Sequence, residues 1–394
     1  MSIRWVHLWP ALATGATAFT IGSATGRANV HTTRADEPYV WRLPPGIPQP
    51  KVPADNPMST IKVELGRRLF YDTRLSGNGT FACANCHKQE RAFADALPLA
   101  VGSTGQVHPR NSMGLTNIAF APVLTWANPN QRSLEAQALV PMFGETPVEL
   151  GLAGKDKEML ARLSADTLYQ RLFRESFPGA ASPTLDQVTK AIASFERTLI
   201  SGTSPYDRFR QGDSTAISRS ARRGESLFFS ERLECFHCHG GFNLTNTVDY
   251  VGKGFVEVEF HNTGLYNLHG SGAYPADNVG IKEHTERPAD MGRFKAPTLR
   301  NIALTAPYMH DGSIPTLDGV IAHYAAGGRT IVGGPLAGVG RRNPFKSGFV
   351  KGFVLSPSER RDVLAFLNSL TDSAFVTDPR FSNPVLPHAA PGSR

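Results

Sequence analysis

The chain contains four cysteines, and all of them fall in two five-residue strings, Cys83-Ala84-Asn85-Cys86-His87 and Cys235-Phe236-His237-Cys238-His239. Each reads C-x-x-C-H, the attachment pattern of a c-type haem. The two thiols of such a string add across the vinyl groups of the porphyrin, and the short spacer sets them the right distance apart. The adjacent histidine, His87 or His239, then reaches the iron as proximal axial ligand. A structural zinc site brings its Cys pairs close together in sequence, whereas roughly 150 residues separate these two. A thioredoxin-like motif has no use for the trailing histidine, which here occurs twice. The spacing therefore predicts two covalently bound c haems.

The elements that must carry these strings are readable as well. Thr60 to Tyr71 predicts a helix with Ile61, Leu65, Leu69 and Phe70 on one stripe. It contains Gly66-Arg-Arg-Leu-Phe-Tyr ahead of Cys83, and Gly224-Glu-Ser-Leu-Phe-Phe stands in the same way ahead of Cys235. A shared G-x-x-L-F-aromatic helix followed by C-x-x-C-H predicts an internal duplication. Between the copies, Lys157 to Phe173 and Leu185 to Leu199 predict two helices, the second started by Ser182-Pro183. Ser356-Pro-Ser-Glu359 is a capping box opening a helix with Val363, Phe366, Leu367 and Leu370 on one face.

The expected fold is mainly α: two cytochrome-c-like haem domains with long loops. Residues 1–28 are expected to be a signal peptide, 29–58 an extended proline-rich arm, and 59–205 the N-terminal haem domain. Residues 206–378 are then the C-terminal haem domain, entered through a linker at Gly202 to Ser218, and 379–394 a loosely held tail. Thirty-seven glycines and 29 prolines in 394 residues suit short helices joined by long ordered loops. The net charge of +7 is spread and has no basic run interleaved with aromatics, which argues against nucleic-acid binding. The leader carries Arg4, an apolar Ala/Thr/Gly-rich run to Ala24 and small residues to Ala28. Trp5, His7, Trp9 and Pro10 make it irregular, and an uncleaved anchor is the alternative. No later stretch reaches the ~18 apolar residues of a membrane span. Because c-type haem is attached outside the bacterial cytoplasm, a periplasmic location is expected.

Phe294-Lys-Ala-Pro-Thr-Leu-Arg-Asn-Ile-Ala-Leu-Thr-Ala-Pro-Tyr-Met-His-Asp-Gly312 resembles the signature of the bacterial di-haem cytochrome c peroxidase/MauG family. Leu134-Glu-Ala-Gln-Ala-Leu-Val-Pro-Met and Pro147-Val-Glu-Leu-Gly do so too. In that family the sixth ligand of the C-terminal haem is methionine in the peroxidases and tyrosine in MauG. The resemblance places that position on Tyr324, with His323 or His310 as alternatives, while Met309 lies in the loop motif. A phenolate ligand favours oxidised iron. On the N-terminal haem the peroxidases use a capping histidine. The aligned position here is near Ser103, with His108 close by, and an open haem is the expected state. By the same resemblance Glu149 is the distal glutamate that moves the peroxide proton, with Gln137 and Pro141 in the distal pocket. Trp126 is the inter-haem relay, and Asn111, Thr305 and Pro307 hold a Ca²⁺.

The N-terminal arm and small loop differences make the chain most similar to the MbnH-like di-haem enzymes of methanobactin gene clusters. That resemblance implies an enzyme using H2O2 to reach a high-valent, bis-ferryl-like state that oxidises tryptophan on a partner protein (MbnP-like), to kynurenine. A di-haem peroxidase drawing electrons from a small cytochrome or cupredoxin is the first alternative. A non-enzymatic electron-transfer cytochrome, with strong ligands on both haems, is the second.

Overall fold

The computed structural model describes residues 39–385, so the expected signal peptide, the start of the arm and residues 386–394 lie outside the described residues. In chain order the helices are α1 (Thr60–Phe70), α2 (Cys83–Cys86), α3 (Leu134–Phe143), α4 (Asp156–Ser164), α5 (Thr167–Ser176) and α6 (Leu185–Glu196). Then follow α7 (Pro205–Arg210), α8 (Arg219–Phe228), α9 (Lys282–Thr285), α10 (Leu317–Ala325), α11 (Pro357–Asn368) and α12 (Ser373–Thr377). Strand is confined, among the described residues, to two short antiparallel ladders. In one, β1 (Phe260–His261) pairs with β2 (Phe294–Lys295), and in the other β3 (Thr330–Ile331) pairs with β4 (Gly338–Val339). The fold is mainly helical, as expected.

Helix α1 starts where Ser59 Oγ accepts the Lys62 amide, closing one of the open N–H groups of the first turn. Its stripe sends Leu65, Leu69 and Phe70 fully into the core, each burial favouring the fold by ~1.5–3 kcal/mol. Gly66 lets it touch α6 backbone to backbone: a Cβ there would meet Ala191 O at 1.8 Å. Gly224 on α8 does the same against α11, where a Cβ would meet Asp362 O at 1.9 Å. The glycine that opens each G-x-x-L-F-aromatic string thus sits at a close helix contact in both places. Helix α11 opens on the expected capping box and buries Val363, Phe366 and Leu367.

Three expectations need correction. Lys157 to Phe173 is not one helix: Asp166 accepts from the amides of Leu168 and Tyr169 and restarts the chain as α5, the side chain competing successfully with helix continuation. The next helix is capped by Thr184 with Gln187, not by Ser182-Pro183. Gly202 to Ser218 is not an open linker, because it contains α7 and is pinned through Asp372, which accepts from Ser201, Gly202 and Thr203. The start of the tail is also held, since Phe381 is buried and its carbonyl accepts from Tyr71 Oη at 2.7 Å.

One apolar core gathers residues from Leu65 to Leu199 together with Phe375 and Phe381, and Cys83 packs on it. Another gathers Tyr206 to Leu370, with Cys235 on its edge. Each haem string therefore rests on its own packed helix pair. Residues 39–58 hold only turns and irregular backbone, tied down by Lys62 Nζ to Asn56 and Pro57 and by a Lys51–Asp249 ion pair.

Candidate di-haem site

The two motif histidines stand in matching surroundings. His87 Nδ1 lies 2.8 Å from Phe93 O, and His239 Nδ1 lies 3.2 Å from Leu244 O. Both acceptors are non-glycine residues with left-handed backbone, φ 61° and 49°, a conformation that turns the carbonyl back toward the ring at some steric cost. With Nδ1–H donated to a carbonyl, the free lone pair is on Nε2, the arrangement found in metal-binding histidines. Burial pushes both imidazoles toward the neutral form, His239 to about 4.

Around the second motif a large apolar cavity is lined by Cys235, Cys238, His239, Trp126, Phe294, Tyr324 and Phe353. Its wall holds two buried polar side chains. Lys295 is buried, with its Nζ donating to Val123 O at 2.7 Å, and burial pulls its pKa down to about 7. His310 Nε2 is buried with no partner among the described residues. A cavity with two thiols, a free imidazole nitrogen, apolar walls and a buried amine fits a haem, whose propionates are anionic. Lys295 went unnoticed in the sequence although it lies in the Phe294–Gly312 signature, because nothing local marks it as buried.

Tyr324, carried on α10, faces this cavity, and its phenol is kept neutral first by burial and then by Cys238 and Cys235. His323, its neighbour, lines a different pocket with Ser313 and Arg329. His310 does line the cavity but lies flat on Phe294, ring centroids 3.6 Å apart, and the charges acting on it are Asp311, Arg110 and Arg329. Met309 lines it also. Trp126, Asn111, Thr305 and Pro307 share the same cavity.

The first motif has a different far side. Leu150 N–H donates to Pro141 O at 2.9 Å, laying the 145–150 segment along α3, which also carries Gln137. Glu149 lies close enough to Cys83 and Cys86 for its charge to act on both thiols, and burial raises its own carboxyl above the ordinary range. Ser103 sits on an adjoining hairpin, its N–H donating to Glu149 O at 2.7 Å. His108 closes that hairpin, with Nε2 3.7 Å from Glu149 Oε1. A carboxyl raised by burial beside a C-x-x-C-H string has the chemistry of a general acid–base.

Two half-buried C-x-x-C-H histidines, one associated with a carboxylate and the other sharing a cavity with a tyrosine, define a c-type di-haem enzyme site. The chain belongs to the di-haem cytochrome c peroxidase/MauG family. The family described as "Di-haem cytochrome c peroxidase" matches residues 60–215. Methylamine utilization protein MauG of Methylorubrum extorquens is 32% identical over 372 residues, covering 93% of this chain and 94% of that protein. Cytochrome c551 peroxidase of Pseudomonas aeruginosa is 30% identical, covering 84% of this chain and 83% of its own length. The crystal structure of a MauG-like protein associated with microbial copper homeostasis superposes with a TM-score of 0.86 at 48% identity, covering 88% and 99% of the two chains. The protein is a di-haem peroxidase-type oxidoreductase with two c haems, and no helix of the described residues is long and apolar enough to cross a membrane.

Proposed function

We propose that this protein is a periplasmic enzyme that uses H2O2 to oxidise a tryptophan on a partner protein, to kynurenine in the MbnH-like case. The observation that carries the reading is Tyr324 on the cavity of the second motif, which supports taking it, by the family resemblance, as the residue standing where the peroxidases have methionine. The likeness to a MauG-like protein associated with microbial copper homeostasis supports a partner of the MbnP kind.

In this reading His87 and His239 would hold the irons through Nε2, the four cysteines would hold the porphyrins, and Tyr324 would be a further iron ligand at the His239 site. Bound there, the haems would supply the iron chemistry that splits the O–O bond and stores its two oxidising equivalents. Glu149 takes a proton from one peroxide oxygen and returns it to the leaving oxygen, with Gln137 and Pro141 shaping the space beside it. Trp126, fixed at both its indole N–H and its carbonyl, passes an electron vacancy between the sites. Asn111, Thr305 and Pro307 offer oxygen atoms for a Ca²⁺. We read residues 59–205 and 206–378 as duplicated haem-bearing halves, the paired glycine contacts of Gly66 and Gly224 supporting that view.

The second reading is a peroxidase fed by a small cytochrome or cupredoxin, favoured by the peroxidase relatives of similar identity. A Tyr324→Met variant separates the two. If Tyr324 is the ligand, the variant loses reaction of the oxidised protein with peroxide and regains it after one-electron reduction. Unchanged behaviour of the variant removes Tyr324 as the ligand, and a wild-type protein that reacts only after one-electron reduction favours the peroxidase reading.

A further inference from the structure

His108, close to Ser103 in sequence, is carried on a hairpin that delivers it to Glu149. Val101 and Val107 face each other across the hairpin, and Gly102 N–H donates to Gln106 O at 2.9 Å. The hairpin is then bolted to the Glu149 segment. Gln106 Oε1 accepts the Val148 amide at 2.8 Å, Ser103 N–H donates to Glu149 O, and a Cβ on Gly102 would meet Val148 O at 1.9 Å. His108 itself is fixed at its backbone, its N–H donating to Ala100 O at 2.7 Å.

The tautomer of the ring follows from one hydrogen bond. The Arg110 main-chain N–H donates to His108 Nδ1 at 3.1 Å, so Nδ1 carries the lone pair and the ring proton sits on Nε2. That N–H stands 3.7 Å from Glu149 Oε1. Catalytic hydrogen bonds of this kind are often long before substrate binds and close by a small side-chain rotation. Arg110 is held away from Glu149 by Glu283, Asn278 and the face of Phe294.

We propose that His108 is a positioning residue for Glu149: its Nε2–H holds Oε1 and leaves the other carboxylate oxygen to take the peroxide proton. This rests on the reading of Glu149 given above. The titratable groups facing Glu149 are Cys83 and Cys86 from α2, whose thiols are consumed by haem attachment, and His108 from the hairpin, with Arg110 behind it. Burial and the Arg110 charge keep His108 neutral, so across the working range it acts as a fixed donor and not as a second acid. Such a donor stabilises the carboxylate form, opposing the burial that raises Glu149.

The test compares wild type with His108→Leu, His108→Gln and Glu149→Gln in the full di-haem protein. Two quantities are read against pH: the peroxide reaction rate, and the infrared C=O band of the protonated Glu149 carboxyl, identified by its loss in Glu149→Gln. In His108→Leu both midpoints move up by about one pH unit, an approximately tenfold loss of rate on the acid side that is recovered at high pH. His108→Gln, which keeps an N–H donor, stays near wild type. Unmoved midpoints in His108→Leu beside a slow Glu149→Gln overturn the His108 assignment alone. A Glu149→Gln variant that reacts at the wild-type rate overturns the role of Glu149 and this inference with it.

Discussion

The indole Nε1–H of Trp126 donates to the main-chain oxygen of Asn111 at 2.8 Å. Asn111 is tied in turn to His310 O through its own N–H and to Leu97 O through its side-chain amide. The proposed relay and the proposed calcium ligand therefore share one rigid stretch of backbone. Chelation of Ca²⁺ is expected to slow the co-oxidation of the second haem by peroxide while leaving haem content unchanged, with Ca²⁺ restoring the rate. Metal analysis showing no bound calcium in the active protein would remove this link.

Glu149→Gln is expected to lower the rate of the peroxide reaction by ~10²–10⁴-fold, the range for loss of a positioned general acid–base. Burial raises this carboxyl, so the base form is lost as pH falls through a value above the ordinary ~4.3 of a free glutamate. The acid limb of the wild-type rate profile should sit there, and stopped-flow mixing across pH locates it.

Glu196, at the end of α6, is buried with Oε2 unpartnered among the described residues, and burial pushes its carboxyl up to about 8. A raised acid contributes stability that is complete below its unfolded pKa and is lost as pH rises through the folded value. Thermal stability should therefore fall between about pH 4.3 and pH 8 by a few kcal/mol, each pH unit being worth ~1.4 kcal/mol. Glu196→Gln should flatten that slope in a melting series.

Gly66→Ala and Gly224→Ala each drive a methyl group into a facing carbonyl. Each is expected to destabilise by about 1–3 kcal/mol, as overpacking does. Melting curves check this. An undisturbed melt for either would mean the helices separate at little cost.

What was legible in the sequence were features set by neighbours in the chain. The C-x-x-C-H strings, the α1 stripe and the Ser356 cap depend on residues within a turn or two of each other. The break at Asp166 was missed because Lys157 to Phe173 keeps enough apolar spacing to read as continuous, while a single carboxylate recaps the helix. Lys295, the docking of Phe381 on the first core and the approach of His108 to Glu149 join segments distant in sequence, so no local pattern records them. Tyr324 was picked out by resemblance, and what the structure adds is that it and His323 open onto different cavities.

The central claim is that the fully oxidised protein stores both oxidising equivalents of peroxide across its two haems. The direct measurement adds stoichiometric H2O2 to the all-ferric protein without reductant and follows optical and Mössbauer spectra. The predicted result is prompt oxidation of both irons above the ferric level. If nothing changes until one haem is first reduced, Tyr324 ligation and the open first haem fail together, and the protein is a peroxidase that draws electrons from a small donor.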